Sequence, residues 1–109
     1  MRIHQKVGTA DNTDVLAGTA LDSLEAGGQL DIYAVASGAD TVMSITGPDS
    51  EPIATAINVA SQARAPSIQD DTPFSLATRT GGHYTLSIDI TAASTWQVIC
   101  VYRKRGVDF

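Results

Sequence analysis

Apolar and polar residues alternate along much of this chain with a period of two, as strands do when one face is buried and the other is wet. The clearest run follows Gly81-Gly82, where Tyr84, Leu86, Ile88 and Ile90 interleave with Thr85, Ser87, Asp89 and Thr91. It predicts a strand with a core face and a solvent face. Leu30, Ile32, Ala34 and Ala36 alternate in the same way with Asp31, Tyr33, Val35 and Ser37. After the turn Ser37-Gly38-Ala39-Asp40, Thr41 to Thr46 returns as a second strand, so these two are expected to pair as a hairpin that Gly47-Pro48-Asp49-Ser50 ends.

The remaining segments are less regular. Ile53, Thr55, Ile57 and Val59 alternate as a strand within an alanine-rich stretch, 53–63, that would also suit a helix; the strand is the expectation. Pro66 opens a loop that runs to Pro73, and Phe74 and Leu76 resume the alternation. From Thr95 to Arg103, Trp96, Val98, Cys100 and Tyr102 share one side while Ile99 and Val101 are apolar on the other, so this strand is expected to be covered on both faces. Residues 1–24 are dominated by polar and small residues, with Val15, Leu16, Leu21 and Leu24 as apolar anchors, and read as an extended arm that its own domain or a neighbour must hold if it is to be ordered. Short strands punctuated by turns predict an all-β fold. The expected form is an antiparallel β-sandwich or jelly-roll-like single domain over 25–109, preceded by the N-terminal arm over 1–24.

Composition narrows this picture. With 109 residues, 43% of them hydrophobic and 17% charged, the chain has the make-up of one folded domain and not of a disordered one. Its apolar residues are weighted towards alanine, and a core of small side chains buries little area per residue, so contact with a neighbouring subunit would add stability. The net charge of −5 argues against nucleic acid as a partner, because that affinity comes from clustered Lys and Arg. Three of the seven basic residues, Arg103, Lys104 and Arg105, nevertheless stand together near the end and read as a solvated strand end or a contact for an acidic partner. A single cysteine, Cys100, excludes an intrachain disulfide and a thiol metal framework, and suits folding in a reducing cytosol. The first residues contain no apolar stretch of signal-peptide or membrane-span length, so no membrane partner is expected.

Catalytic chemistry finds no footing in these residues. A nucleophile needs a base and an orienting group within reach. Of the two histidines, His4 lies in the arm and His83 at the start of a strand, where a structural hydrogen bond is the expected role. Cys100 falls on a core face, where packing is its expected role. Asp49 with Glu51, and Asp70 with Asp71, are loop carboxylates without calcium-loop spacing, so no metal and no cofactor is expected. Trp96 with Tyr33 or Tyr84 would offer a sugar-stacking platform if exposed, which keeps a glycan-binding module as the alternative to an assembly protein; a Trp on an alternating strand is more commonly core. The chain is therefore read as a non-enzyme.

Several stretches together resemble small virion proteins of tailed bacteriophages, especially capsid decoration, or cement, proteins encoded by marine phages. They are Asp14-Val15-Leu16-Ala17-Gly18-Thr19 with Leu21, Gly28-Gln29-Leu30, Gly47-Pro48 with Glu51-Pro52, Ile68-Gln69-Asp70-Asp71, Gly81-Gly82-His83-Tyr84 and Thr95-Trp96-Gln97-Val98. The strand layout also looks like the β-sandwich domains appended to secreted bacterial peptidases, in fold pattern only. The phage resemblance implies a protein bound to the outer face of the capsid in a virion assembled in the host cytoplasm. Its implied partner is the major capsid protein lattice, met as a homo-oligomer with a trimer favoured; a tail or head-fibre component belongs to the same class. On this reading the contacts come from the arm (Asp14, Val15, Leu16, Thr19, Leu21), the doubly apolar strand (Ile99, Val101) and the basic end (Arg103, Lys104, Arg105).

Overall fold

The computed structural model of the chain describes residues 1–37, 41–61 and 73–109. It is all-β, and the described residues form eight strands: β1 (Arg2–Gly8), β2 (Gly28–Ala36), β3 (Thr41–Thr46), β4 (Pro52–Asn58), β5 (Ala60–Ser61), β6 (Phe74–Thr78), β7 (Thr85–Ile90) and β8 (Trp96–Lys104). One sheet runs β1-β8-β2, with β6 and the short β5 sharing the far side of β2; the other runs β4-β3-β7. Pairing is antiparallel throughout except for the two-residue β2–β5 contact, which is parallel.

The pairs are nested. β1 lies against β8, the chain at Asn12 to Val15 against β7, β2 against β6, and β3 against β4. This is the order obtained when one long hairpin is rolled into two facing sheets, the winding of a jelly roll. The expected strands over 30–37, 41–46, 74–79, 84–90 and 95–103 each have a counterpart in this frame, with bounds shifted by at most two residues and the expected residues inward. Stretch 53–63 divides. β4 carries a bulge with Ala56 at φ 54°, then Val59, 6% exposed, leads the chain across to β5 in the other sheet.

One pairing differs from expectation. β2 and β3 are not a hairpin, because β2 is bonded to β8 and β6 while β3 is bonded to β4 and β7. Both strands turn their apolar faces to a common core from opposite layers, and alternation specifies which face is buried without specifying the neighbour. The turn expected at 37–40 and the loop expected at 66–73 lie largely outside the described residues. Where β2 ends, Ser37 exchanges bonds with the start of β8: its N–H donates to Thr95 O, and Thr95 N–H donates to Ser37 Oγ, each at 2.9 Å.

The core is filled from both sheets by Leu30, Ile32, Met43, Ile45, Leu86, Ile88, Trp96, Val98, Cys100 and Tyr102, none more than 4% exposed. Trp96 is the largest of these, and its Nε1 donates to Ala10 O at 2.9 Å. Gly8 lies directly across the ladder from it, where a Cβ would overlap the indole. The Tyr84 hydroxyl donates to Thr80 O, four residues upstream, at 2.7 Å, the corner bond that β-sandwiches use to pin a loop to a strand.

The extended N-terminal segment is held by its own domain. β1 is in register with β8 from Arg2 opposite Tyr102 to Gly8 opposite Trp96. Beyond it the chain crosses to β7 and back, placing Val15, Leu16, Leu21 and Leu24 at 0–4% exposure in the same core as the rest. Side chains shape this crossing. Asp14 N–H donates to Asn12 Oδ1, the Thr19 hydroxyl donates to Leu16 O and accepts from Leu21 N–H, and Gly18, at φ 72°, donates to Asp22 Oδ1. Such Asx and Ser/Thr turns satisfy backbone groups where no ladder exists. Among the described residues no helix is long and apolar enough to cross a membrane.

Candidate functional site

The residues expected to make contacts fall into three environments. Val15, Leu16 and Leu21 are buried within the chain, which corrects their expected role as an interface: apolar groups enclosed in this core have no surface left for a neighbour. Their spacing is neither two nor that of a helix, so no periodicity revealed which way they point. Asp14 and Thr19 are half-buried and hold the crossing in shape. Ile99, Val101 and Arg103 lie on the outer face of the β1-β8-β2 sheet, opposite the core.

Register defines that outer face row by row. Ile3, Val101, Asp31 and Ser75 form one row across β1, β8, β2 and β6; Gln5, Ile99 and Tyr33 form the next; Val7, Gln97 and Val35 the third. Val101 is 7% exposed even though it faces away from the core, Ile99, Tyr33 and Val35 are half-buried, and Ile3 and Val7 are each 54% exposed. Val35, Tyr33, Ile99, Val101 and Ile3 adjoin one another as an apolar strip on the outside of the domain, reaching an edge strand whose far side has no partner among the described residues, while Gln5 and Gln97 set Val7 apart from it. The last strand, expected to be covered on both faces, is buried on its core face, while on its outer face only Val101 is buried and Gln97, Ile99 and Arg103 are half-buried.

At one end of the strip stands a polar cluster. The Asp31 carboxylate, its side chain 5% exposed, accepts from Ser75 Oγ at 2.6 Å, from Gln29 Nε2 at 2.8 Å and from the Arg103 guanidinium at 2.5 Å. Burial alone would favour the protonated acid, but the bonds from Ser75, Gln29 and Arg103, with the Arg103 charge, hold it below the usual carboxylate range. Arg103 is thereby committed within the chain. Lys104 lies 3.4 Å from Glu25, so of the basic end only Arg105 has no ion-pair partner among the described residues.

His83 is a structural clamp. Its Nδ1 lies 2.5 Å from Asp22 O and its Nε2 2.5 Å from Asp14 Oδ2, so both nitrogens face acceptors. The bond to the Asp22 carbonyl, then that to Asp14, raise its pKa above the ordinary imidazole value. Arg2, which sequence reasoning passed over, does the same for the other end of the crossing. It donates to Ala20 O, Ser23 O and Glu25 Oε1, and its guanidinium lies 5.0 Å from the Tyr102 ring centre.

Other candidate chemistry resolves into packing. Burial pushes the Cys100 thiol up to about 12, which keeps it protonated and unreactive. Trp96 and Tyr84 are 1% and 3% exposed, so neither presents a face for a sugar to stack on, and Tyr33 alone remains half-buried outside. Asp49 and Glu51 are exposed loop residues, and Asp70 and Asp71 lie outside the described residues. Among the described residues no group of three or more His, Cys, Asp or Glu side chains is arranged to hold a metal ion. Comparison of the chain with protein-family models, with curated proteins and with solved structures found no match.

Proposed function

We propose that this chain is a structural protein of a bacteriophage particle, a decoration protein that binds the outer surface of the capsid lattice through the outer face of its β1-β8-β2 sheet. The observation that carries the reading is the apolar strip of Ile3, Val101, Ile99, Tyr33 and Val35 on the outer face of the sandwich. Contiguous apolar surface rimmed by polar groups marks an interaction site. Gln5, Gln29 and Gln97 supply such a rim here. The jelly-roll winding supports the reading by analogy alone, since capsid proteins use it among many others. The resemblance of the Asp14–Leu21 and Gly81–Tyr84 stretches to decoration proteins supports it too, although in this chain those stretches build the crossing and its clamp.

A lattice repeats its binding site many times, so weak identical contacts suffice for retention, and a homo-oligomer multiplies them. Co-sedimentation with capsid shells, together with native mass measurement of the free protein, tests the proposal. Retention on shells is expected, and Ile3→Asp abolishes it while leaving the thermal transition of this edge strand's domain in place. A protein that is monomeric and stays in the supernatant with shells overturns the proposal.

A further inference from the structure

We propose that Arg79 and Arg105 form a binding cleft for an acidic peptide segment of a protein partner. Both follow directly on strands that flank β2: Arg79 on β6 and Arg105 on β8. Gly27, directly before β2, lies between them, donating from N–H to Thr78 O at 2.8 Å and accepting at its carbonyl from Arg105 N–H at 3.1 Å. Ala77, Gln29 and Arg103 form the last row of the outer face, so two residues further along Arg79 and Arg105 emerge on that same face. Gly27 has φ 86° and open space where a Cβ would stand, which leaves room in the cleft that Arg79 and Arg105 both line. The cleft has a volume of about 410 Å³, floored by Gly27 and walled by Ala77 and Phe109.

The charge pattern selects the ligand. Arg103 is neutralised by Asp31 and Lys104 lies beside Glu25, whereas neither Arg79 nor Arg105 has an ion-pair partner among the described residues. Two like charges lining one cleft repel until an anion sits between them, and guanidinium groups match carboxylates with paired, parallel hydrogen bonds. The strands carrying the two arginines are two spacings apart, about 10 Å. An extended peptide with acidic residues at alternate positions presents carboxylates on one side about 7 Å apart, a span that two flexible arginine side chains can bracket. The whole chain carries a net charge of −5, which disfavours a nucleic acid, whose long phosphate array would extend past the cleft over acidic surface, more than it disfavours a short acidic segment.

This inference deepens the assembly reading and rests on it for the partner being a protein. The test is a titration of the full chain with a capped hexaglutamate peptide, followed through backbone amide resonances by NMR, with inorganic phosphate as a second probe. Saturable shifts are expected at Gly27, Gln29, Thr78, Arg79 and Arg105. Arg79→Gln and Arg105→Gln should each weaken the peptide about tenfold, as the loss of one charge-assisted pair implies. Lys6→Gln, which removes the same charge from exposed β1, should not. Raising salt from about 0.05 M to about 0.5 M shortens the screening length about threefold and should weaken binding strongly. Three results overturn the inference: no saturable shift, equal weakening by Lys6→Gln, or phosphate that saturates the same amides as tightly as the peptide. Shell binding separates the two ideas, since shells that retain the protein while the peptide fails leave the assembly reading standing without this cleft.

Discussion

Leu16→Ala separates a built-in crossing from a detachable arm. Leu16 is 0% exposed, enclosed where the crossing meets the sandwich. Truncation to alanine removes the equivalent of three methylenes, about 2.4 kcal/mol of transfer free energy at about 0.8 kcal/mol each, and the cavity left behind raises the loss to roughly 3 kcal/mol. A domain of this size loses about 4–8 °C of melting temperature per kcal/mol, so the expected fall is roughly 12–24 °C. Circular dichroism melts of the wild type, Leu16→Ala and Ile3→Ala supply the comparison. Ile3 is 54% exposed on the edge strand, and its truncation should cost about 1 kcal/mol or less. A Leu16→Ala variant melting within about 4 °C of wild type, hence losing under about 1 kcal/mol, would refute the claim that the crossing belongs to the core.

Three further outcomes are expected. His83 has a raised pKa in the fold, so the stability its clamp supplies is complete below the ordinary value of 6.5 and is lost as pH rises through the higher folded value. Denaturant titrations across that window should show wild-type stability declining towards that of His83→Gln, and parallel profiles would refute the clamp. The Cys100 thiol should resist a disulfide-exchange reagent at about pH 8 in the native protein and react at once in denaturant, because burial holds it protonated; prompt native reaction would contradict that burial. Asp31→Asn should destabilise by about 1–3 kcal/mol through loss of charge-assisted bonds to Ser75, Gln29 and Arg103, measured by chemical denaturation; an unchanged midpoint would show that the network contributes nothing.

The strands with strict alternation were legible in the sequence because an antiparallel sheet with one wet face writes its period into the residues. Tyr84 to Ile90 and Trp96 to Tyr102 point inward as their pattern requires. Partnership was not legible. β2 and β3 carry the same pattern with turn-forming residue types between them, yet they belong to different sheets, since side-chain phase says nothing about which backbone completes the ladder. Val15, Leu16, Leu21 and Leu24 were visible as apolar anchors but not as core, because a crossing secured by Asn12, Asp14 and Thr19 has no period to read. The apolar outer face of β8 was foreseen from Ile99 and Val101, whereas its extension to Ile3 depends on β1 pairing with β8 across the length of the chain. Arg79 was missed for the same reason: its nearness to Arg105 exists only in the register of β6, β2 and β8.

That β1–β8 ladder also governs how the domain is made. Arg2 finds its partner in Tyr102 and Gly8 in Trp96, so the first strand cannot complete its bonds until the last has left the ribosome. Every nested pair inside it closes a shorter loop, with β3 and β4 the nearest in sequence, and closing loops costs entropy before contacts repay it. Folding from the innermost hairpin outward is the order this imposes, in the millisecond-to-second class of sandwiches. Until then the apolar residues of the crossing stay uncovered, and the nascent chain is at its most vulnerable to aggregation in the interval before β8 arrives.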